Sequence, residues 1–222
     1  YDQNGTPEVR ILWAGRFLKL KHPEYAIKAA KYLKQQGISF HLHMVGGGAL
    51  EEQLKASVTS SGLERQVTFH GFQPPQNVRR FMEESDIFLF TSNYLEGWGA
   101  VLNESMNSAC AVVAGHGIGA VPFLIKHGQN GLVYKNGNFR EFREQVLMLC
   151  RDSGLRKRLG TNAYRTMVGE WNPQEAADRL HRFCEGLLVG KVEPETEGPL
   201  SPAPLIAPRE GYAYTRMYTH DR

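Results

Sequence analysis

The chain has 222 residues, of which 41% are hydrophobic and 22% are charged, and its formal net charge is +3 at pH 7. This composition is ordinary for a folded globular protein and excludes the collagen-like, coiled-coil and disordered classes. The charge is too small to indicate nucleic-acid binding, but it is compatible with an anionic small ligand or a membrane surface.

Short apolar runs alternate with segments of helical spacing along most of the chain. Strands are predicted at residues 9–14, 40–45, 67–70, 86–91, 110–114 and 131–134. Helices are predicted at residues 23–36, 49–60, 77–84 and 100–108. Short apolar strands separated by helices are typical of right-handed βαβ units and of a parallel sheet that is covered on both faces.

The C-terminal part of the chain has a different pattern. Residues 139 to about 189 have helical spacing, with Asn138 as a candidate cap and Asn172 just before the last helix. After Gly190 the sequence is rich in Pro, Glu and Gly, and an aromatic segment follows at 212–218. We therefore predict a Rossmann-like domain over residues 1–190 and a Pro-rich linker with an aromatic docking tail over residues 191–222.

The cysteine pattern and the N-terminal sequence indicate a cellular compartment. Cys110, Cys150 and Cys184 are widely spaced and form no C-x-x-C motif, which argues against disulfides and a zinc site and favours a reducing cytoplasm. We find no signal peptide and no apolar run long enough to cross a bilayer. The expected location is the cytoplasm or the inner face of its membrane. Because the sequence begins without Met, we expect it to be part of a longer protein.

The strongest motif lies between residues 91 and 104, where an apolar strand leads into a predicted helix. Glu96 and Glu104 are separated by seven residues and bracket a Gly-Trp-Gly sequence. Glycines let the backbone approach a ligand, and N–H groups at a helix start face an anion. A carboxylate at Glu104 is suited to vicinal ribose hydroxyls. A lone glutamate is usually a solvated surface residue, but the joint pattern favours a site.

A second motif follows the first predicted strand, which ends in Gly15-Arg16, with Lys21 just ahead of the next helix. Arg offers a forked set of donors and Lys a point charge, so the two can clamp a diphosphate. They can also neutralise charge that develops on a departing diphosphate. The alternative is a solvated basic loop, and Lys19 is expected to be part of one.

Two weaker motifs follow other predicted strands. The glycine-rich turn at residues 46–48, which includes Gly47, lacks the full G-x-G-x-x-G pattern, so a simple tight turn is an alternative. Gly71 and Phe72 can offer backbone groups and a ring to a nucleobase, although a core position for Phe72 is the alternative.

The histidine, serine and lysine patterns argue against a metal site and against two common classes of hydrolase. His41 and His43 alternate on a strand without a third ligand at suitable spacing, so we interpret them as surface residues and expect no metal site. The sequence lacks a Gly-x-Ser-x-Gly elbow and a P-loop, which argues against a serine hydrolase and against a P-loop NTPase.

Taken in order, these motifs resemble the C-terminal, donor-binding domain of glycosyltransferase family 4, a retaining group with the GT-B fold. The resemblance runs from about residue 9 to residue 134 and more loosely to 188. It rests on Gly15-Arg16 with Lys21, and on the segments 45–48, 67–72, 85–87, 91–106 and 128–133.

The resemblance implies an α/β fold, a Rossmann-like parallel sheet with helices on both faces that forms the C-terminal half of a GT-B enzyme. The implied reaction is glycosyl transfer from a nucleotide diphosphate sugar with retention of configuration and no required cofactor or metal. Arg16 and Lys21 would bind the diphosphate and stabilise its departure, and Glu96 would lie by the transferred sugar. The expected donor-binding residues are Gly15, Gly47, Gly71, Phe72, Gly97, Trp98, Gly99, Ala100, Val101 and Glu104, the last of which would hold the ribose hydroxyls.

Three departures from the family pattern bear on the contacts of the donor sugar. The small-Cys-Gly-x-Pro run is replaced at residues 107–111, Phe123 stands where an acidic residue is usual, and His22 stands where Gly commonly follows the lysine.

The resemblance also implies partners. A saccharide or lipid-linked acceptor would bind through an N-terminal domain missing from this chain, so we expect the chain alone to bind nucleotide weakly and to transfer no sugar. Peripheral membrane association is compatible with this function, and nucleic acid is not an expected partner. Two other interpretations stay open: a non-catalytic nucleotide-sugar-binding module, and a GT-B-related epimerase or phosphorylase.

Overall fold

The computed structural model describes residues 8–202, and its centre is a six-stranded sheet with the strand order β3-β2-β1-β4-β5-β6. Every strand pairs with its neighbours in parallel. The predicted parallel α/β sheet is therefore confirmed, and each strand lies within one residue of its predicted bounds. The strands are β1 Val9–Ala14, β2 Phe40–Val45, β3 Val67–Phe69, β4 Ile87–Phe90, β5 Ala111–Gly115 and β6 Leu132–Tyr134.

Helices connect the strands and cover both faces of the sheet. They are α1 Glu24–Gln35, α2 Glu51–Ser60, α3 Pro75–Glu84, α4 Val101–Asn107, α5 Val121–Leu124, α6 Phe139–Arg151, α7 Ser153–Gly169 and α8 Pro173–Leu188, with a 3-10 turn at Lys19–Lys21. Helix α3 begins two residues before its predicted start, because the first helical position tolerates a proline that lacks an N–H group. The predicted docking tail at 212–218 lies outside the described residues.

Side-chain caps divide the C-terminal helical region into three helices. Asn138 accepts a hydrogen bond from the Glu141 N–H at the start of α6, and Asn172 accepts one from the Glu175 N–H at the start of α8. The Asn138 cap was predicted, whereas Asn172 was predicted only to precede the last helix. Asp152 ends α6 and accepts the Leu155 N–H of α7. Each cap satisfies a backbone donor that the first helical turn leaves free.

The core consists of two layers because successive side chains of a strand point to opposite faces of the sheet. Ile11 and Trp13 of β1 belong to the layer that α1, α2 and α6 cover. Leu12 of β1 and Phe88 of β4 belong to the opposite layer, which α4 and α7 cover. All four side chains are at most 2% exposed, so the central strands are buried on both faces and the hydrophobic effect fixes their positions.

The loops after β1 and β2 approach each other closely at the C-terminal rim of the sheet. Gly46 has a φ of +128°, and a Cβ atom on it would overlap the carbonyl oxygen of Gly15. The Gly15 N–H donates to the Val45 carbonyl at 2.9 Å, which continues the pairing of the two strands into these loops. Only a residue without a side chain fits this approach.

We expect Gly46→Ala to lower the free energy of unfolding by about 2–4 kcal/mol, because the methyl group strains the backbone and separates the two loops. Chemical denaturation of the purified chain measures this change. Gly169→Ala is the matched control, because nothing lies within 4 Å of its added Cβ, and we expect it to change stability by less than about 1 kcal/mol. Equal stabilities of the two variants would contradict the close approach.

Three histidines form a row beside α3. His41 and His43 of β2 have ring centroids 4.8 Å apart, and the Nδ1 atom of His43 lies 3.0 Å from the Nε2 atom of His70. Phe81 of α3 packs against His43 and His70. Burial, followed by the nearby charges of His41, His70 and Arg10, lowers the pKa of His43 from 6.5 to about 4.

This pKa predicts an acid-sensitive fold. Between pH 6.5 and 4 an unfolded chain binds a proton at His43 that the folded chain does not, so stability is full above pH 6.5 and falls as the pH drops toward 4. We expect a loss of about 1–2 kcal/mol, which allows for solvent screening of a half-buried ring. Thermal unfolding at several pH values measures it. His43→Gln should remove most of this dependence of stability on pH. His181, an exposed residue of α8, is the control. If His181→Gln removed the pH dependence to a similar extent, His43 would not be its source.

Candidate functional site

The sheet has one point at which the chain reverses its direction of strand addition. From β1 the strands β2 and β3 are added on one side, whereas β4, β5 and β6 are added on the other. The loops after β1 and β4 therefore diverge above their strands and leave a crevice at the C-terminal rim. In open α/β sheets, ligands bind at such a switch point.

A chain of hydrogen bonds ties together the loops on the two sides of this crevice. The indole N–H of Trp13 donates to the Thr91 hydroxyl at 2.8 Å, and that hydroxyl donates to the Lys21 carbonyl at 2.7 Å. The Asn93 N–H donates to the Leu20 carbonyl at 2.8 Å. Because Trp13 and Thr91 are each only 2% exposed, water competes little for these bonds.

An ion pair between Lys21 and Glu96 crosses the same crevice. The Ser92 hydroxyl also donates to the Glu96 carboxylate, at 2.9 Å. The side chains of Lys21 and Glu96 are only 18% and 13% exposed, so solvent screens this pair less than a surface pair. Two of the three residues expected to be catalytic are therefore in direct contact, although 75 positions separate them in the sequence.

Two adjoining cavities lie along the rim from this crevice, beside α3 and α4. Arg16 and Lys21 line a cavity of about 250 Å³, and Glu104 lines a cavity of about 460 Å³. Gln73 and Val78 line both cavities, which makes them neighbouring parts of one groove. We call it the α3–α4 groove. Gly15, Phe72 and Val101 also line its first cavity.

Arg16 differs from Lys21 in its electrostatic surroundings. Its side chain is exposed, and its guanidinium group has no ion-pair partner within the part of the chain that the structure describes, residues 8–202. The two cations thus line one small cavity, one fixed by a carboxylate and the other available to an anion. A guanidinium group binds phosphate oxygens with paired donors.

The other predicted residues after β2 and β3 lie beside the groove. The ring of Phe72 is 74% exposed, so it is not a core residue. A Cβ atom on Gly47 would lie 2.8 Å from this ring. Gly71 has a φ of +64°, and its carbonyl accepts the Gly46 N–H at 2.8 Å. The glycines therefore let the Phe72 loop rest on the turn after β2.

The loop from Gly97 to Ala100 leads into α4. Gly99 has a φ of +77°, and a Cβ atom there would lie 2.5 Å from the ring of Phe90. The Ala100 carbonyl accepts the Glu104 N–H at 3.2 Å in the first turn of α4. The Gly97 carbonyl occupies the position that a side chain at Gly119 would need, so this loop also packs against the segment after β5.

The ring of Trp98 points toward the junction of α7 and α8. It packs against Phe123 and Trp171 with centroid distances of 5.6 and 5.8 Å, and its N–H donates to the Asn103 side chain at 2.8 Å. The ring is not among the described residues that line the α3–α4 groove. Its packing anchors the loop that carries Glu96.

A third cavity of about 520 Å³ lies on the other side of the ion pair. Ser92, which bonds to Glu96, lines it, as do the two neighbours of Lys21, Leu20 and His22. Its walls are mostly apolar and include Leu18, Tyr25, Tyr94, Leu95 and Tyr134. Lys21 therefore lines the smaller cavity, whereas Lys19, Leu20 and His22 line the larger one, whose walls also carry the cation of Lys19.

Sequence reasoning missed several residues that build the site. Thr91 and Ser92 stood at the start of the strongest motif, but they were given no role in the site. Gln73 and Val78 gave no signal, because they reach the groove only through the placement of α3 beside α4.

Two features are absent from the part of the chain that the structure describes. Within residues 8–202, no group of three or more His, Cys, Asp or Glu side chains is arranged to hold a metal ion. No helix in the same range has both the length and the apolar character of a membrane span.

The strand order and the groove at the switch point define an α/β domain of the Rossmann type. Residues 3–166 match the family described as "Glycosyl transferases group 1", and the chain belongs to this family. The C-terminal domain of a group 1 glycosyl transferase, LpcC from Francisella tularensis, superposes with a TM-score of 0.69 at 27% identity, covering 77% of this chain and 90% of that chain. The fold is therefore that of the C-terminal half of a GT-B glycosyltransferase, as predicted.

Curated relatives are longer than this chain. The amylovoran biosynthesis glycosyltransferase AmsK of Erwinia amylovora is 34% identical over 148 residues, which is 64% of this chain and 36% of AmsK. The lipopolysaccharide core biosynthesis glycosyltransferase LpsE of Rhizobium meliloti is 27% identical over 168 residues, which is 76% of this chain and 47% of LpsE. The chain thus spans less than half the length of these relatives.

The hydrogen bonds of Thr91 generate a prediction about the crevice. Thr91→Val keeps the shape of the side chain but leaves the Trp13 N–H and the Lys21 carbonyl without their partner, so we expect the free energy of unfolding to fall by about 1–3 kcal/mol. Chemical denaturation measures this change. Thr68→Val is the control, because Thr68 bonds a partly exposed His41 ring away from the crevice. A Thr91→Val chain as stable as the control would contradict the role of this bond.

Proposed function

We propose that this chain is the donor-binding half of a retaining, family 4 glycosyltransferase that uses a nucleotide diphosphate sugar. The observation that carries the proposal is the α3–α4 groove, in which Arg16 and Lys21 line one cavity and Glu104 lines the adjoining one. A nucleotide diphosphate sugar matches this arrangement. Its diphosphate carries two negative charges for the cations, and its ribose carries neutral hydroxyls for the Glu104 carboxylate.

The cationic cavity is assigned to the diphosphate. Arg16 provides paired donors, and Lys21 provides a charge whose position Glu96 holds. During transfer the bond between the sugar C1 and the diphosphate oxygen breaks, and a bond from C1 to an acceptor oxygen forms with loss of its proton. Negative charge then grows on the diphosphate, and both cations stabilise it without having to move.

The second cavity is assigned to the nucleoside. The Glu104 carboxylate is exposed there and can accept hydrogen bonds from the two ribose hydroxyls. Phe72 presents an exposed ring next to Gln73, which lines both cavities, so the ring can stack on a base that lies where the two cavities adjoin. Gly15, Gly47 and Gly71 are proposed to meet the ligand through their backbone, with open space beside Gly71 and the Phe72 ring beside Gly47.

The loop after β4 is assigned to the phosphates and the transferred sugar. Glu96 is proposed to contact that sugar, with Gly97, Trp98 and Gly99 beside it. The backbone N–H groups of Gly99, Ala100 and Val101 are proposed to meet phosphate. Because Phe123 packs on Trp98, the segment that carries an acid in the family is apolar here. No metal is required, since two cationic side chains supply the positive charge.

Solved structures of similar fold support the choice of nucleotide. HepE of Anabaena, which is 24% identical and has a TM-score of 0.68, is described in complex with UDP, and a further HepE structure contains UDP-glucose. UDP is therefore the first probe to test. The relatives' names refer to amylovoran and to the lipopolysaccharide core, so we propose cell-surface polysaccharide assembly as the setting.

The acceptor is assigned to the remainder of a longer protein. The chain covers only 36% of AmsK and 47% of LpsE, and a GT-B enzyme binds its acceptor on the domain that faces the donor half. We therefore expect this chain alone to bind the nucleotide weakly and to release no free or transferred sugar from UDP-sugars and GDP-sugars.

We expect UDP to bind the purified chain, with Arg16→Ala weakening the affinity at least tenfold because a charged hydrogen-bond partner of the diphosphate is lost. Isothermal titration calorimetry, or ligand-observed NMR for weak affinities, measures this. Lys31→Ala is the matched control, since it removes an exposed cation of α1 that lines none of the three cavities at the rim, and it should leave UDP affinity within about twofold.

The Glu104 assignment has its own test. The wild-type chain should bind UDP about tenfold more tightly than 2′-deoxy-UDP. The deoxy compound lacks the 2′-hydroxyl that would donate a hydrogen bond to the Glu104 carboxylate. Glu104→Ala should bind both nucleotides equally. Equal loss of affinity for both nucleotides, with their ratio unchanged, would show that Glu104 does not contact the ribose.

A further inference from the structure

Helix α7 has an unusual charge composition for a surface helix. Its 17 residues, Ser153–Gly169, include four basic residues and no acidic one. Arg156 is occupied, because its guanidinium group donates to the Leu149 and Cys150 carbonyls at the end of α6. The other three cations, Lys157, Arg158 and Arg165, are exposed and form no ion pair with any residue between 8 and 202.

The three free cations share one side of the helix. They line a shallow cavity of about 290 Å³ together with Gly154, Thr161 and Asn162. The buried side of α7 consists of Leu159, Gly160, Ala163 and Met167. Because these two sets occupy opposite sides of the helix, the cations point away from the sheet. We call Lys157, Arg158 and Arg165, with the residues between them, the α7 basic face.

Apolar side chains accompany the cations on this face. Tyr164 is 45% exposed and Val168 is 46% exposed. Both follow Lys157 and Thr161 at helical spacing, so they lie on the same side of the helix as Lys157. An exposed set of basic side chains with an amphipathic ring beside it can meet both the headgroups and the interface of a membrane.

Along the sequence, the acidic residues nearest to this face are Asp152 and Glu170, one at each end of α7. Asp152 caps the helix, and its carboxylate accepts the Leu155 N–H at 2.8 Å. Glu170 follows the last residue of α7, where its charge acts on Lys126 and Arg179. The face between these two ends therefore keeps a positive charge of three, as large as the net charge of the entire chain.

We propose that the α7 basic face docks on the surface of a bilayer that contains anionic lipids. From Lys157 to Arg165 the helix rises by about 12 Å, which is too long for both cations to grip one phosphate group. The cations of the α7 basic face instead contact several lipid headgroups. Tyr164 and Val168 enter the membrane interface between these headgroups. The proposal does not depend on the proposed nucleotide function.

The orientation of α7 leaves the rim of the sheet accessible in this arrangement. Gly160 packs against Ala109 beyond the C-terminal end of α4, and Met167 contacts Asn103 near the start of α4. The two helices are therefore antiparallel, and α7 lies along the side of the sheet. A membrane on its outer face would not cover the α3–α4 groove, which opens at the rim between α3 and α4.

Co-sedimentation of the full 222-residue chain with vesicles tests the proposal. Phosphatidylcholine vesicles with 30% phosphatidylglycerol should bind the chain, pure phosphatidylcholine vesicles should not, and binding should weaken as salt rises from 50 to 300 mM. The triple variant Lys157→Gln/Arg158→Gln/Arg165→Gln should lose about 100-fold in partition coefficient. Tyr164→Ser/Val168→Ser should reduce binding less and keep the salt dependence.

A matched triple variant controls for the loss of charge. Lys31→Gln/Arg65→Gln/Lys135→Gln removes three exposed cations from other surfaces and should retain most of the binding. Thermal unfolding of every variant checks that the fold is intact. If the α7 triple variant does not fold, the single variants Lys157→Gln, Arg158→Gln and Arg165→Gln replace it, and each should lose more binding than Lys31→Gln.

Several results would overturn the proposal. Equal binding to neutral and anionic vesicles would do so, as would equal losses in the two triple variants. Tight binding to a DNA duplex without binding to anionic vesicles would assign the face to nucleic acid instead. A loss of UDP binding leaves this test unaffected, so the two proposals fail separately.

Discussion

The buried hydrogen-bond chain from Trp13 through Thr91 to the Lys21 carbonyl is the interaction on which the site depends. A parallel sheet brings its loops to one rim, but the sheet itself does not fix one loop against another. Here an indole that can only donate meets a hydroxyl that can both donate and accept, and the hydroxyl meets a carbonyl that can only accept. Each buried group is satisfied, and Lys21 is thereby held beside Glu96.

Close backbone approach extends this constraint to the rest of the rim. Gly46 lies against Gly15, and Gly99 lies against the ring of Phe90, both with positive φ angles. A side chain at either position would push apart the loops that line the α3–α4 groove. The glycines in the two motifs therefore allow close packing of the loops. The α3–α4 groove forms between loops that are packed in this way.

The sequence predicted most of the sheet because its strands are short, apolar and buried on both faces, and because glycine or small polar residues mark their ends. It also identified both loops of the site, since each joins charged residues to glycines. It did not predict the Lys21–Glu96 pair, which depends on β1 lying beside β4. The direction of the Trp98 ring depends in the same way on Trp171, from a helix junction distant in sequence. The single turn α5 was too short to show helical periodicity.

The small net charge conceals two different arrangements of cations. Lys21 is partly buried, bonded to Glu96 and attached to a loop that Thr91 holds in place, so its charge has a defined position. Lys157, Arg158 and Arg165 are exposed on a helix that contains no acid, so their charges move on flexible side chains. A fixed cation suits a ligand whose reacting atoms must be placed accurately, because little reorganisation is needed on binding. Mobile cations suit a fluid array of headgroups, in which no single position has to be maintained. The chain therefore carries a fixed cation at its rim and exposed cations along its side, and the overall charge describes neither arrangement.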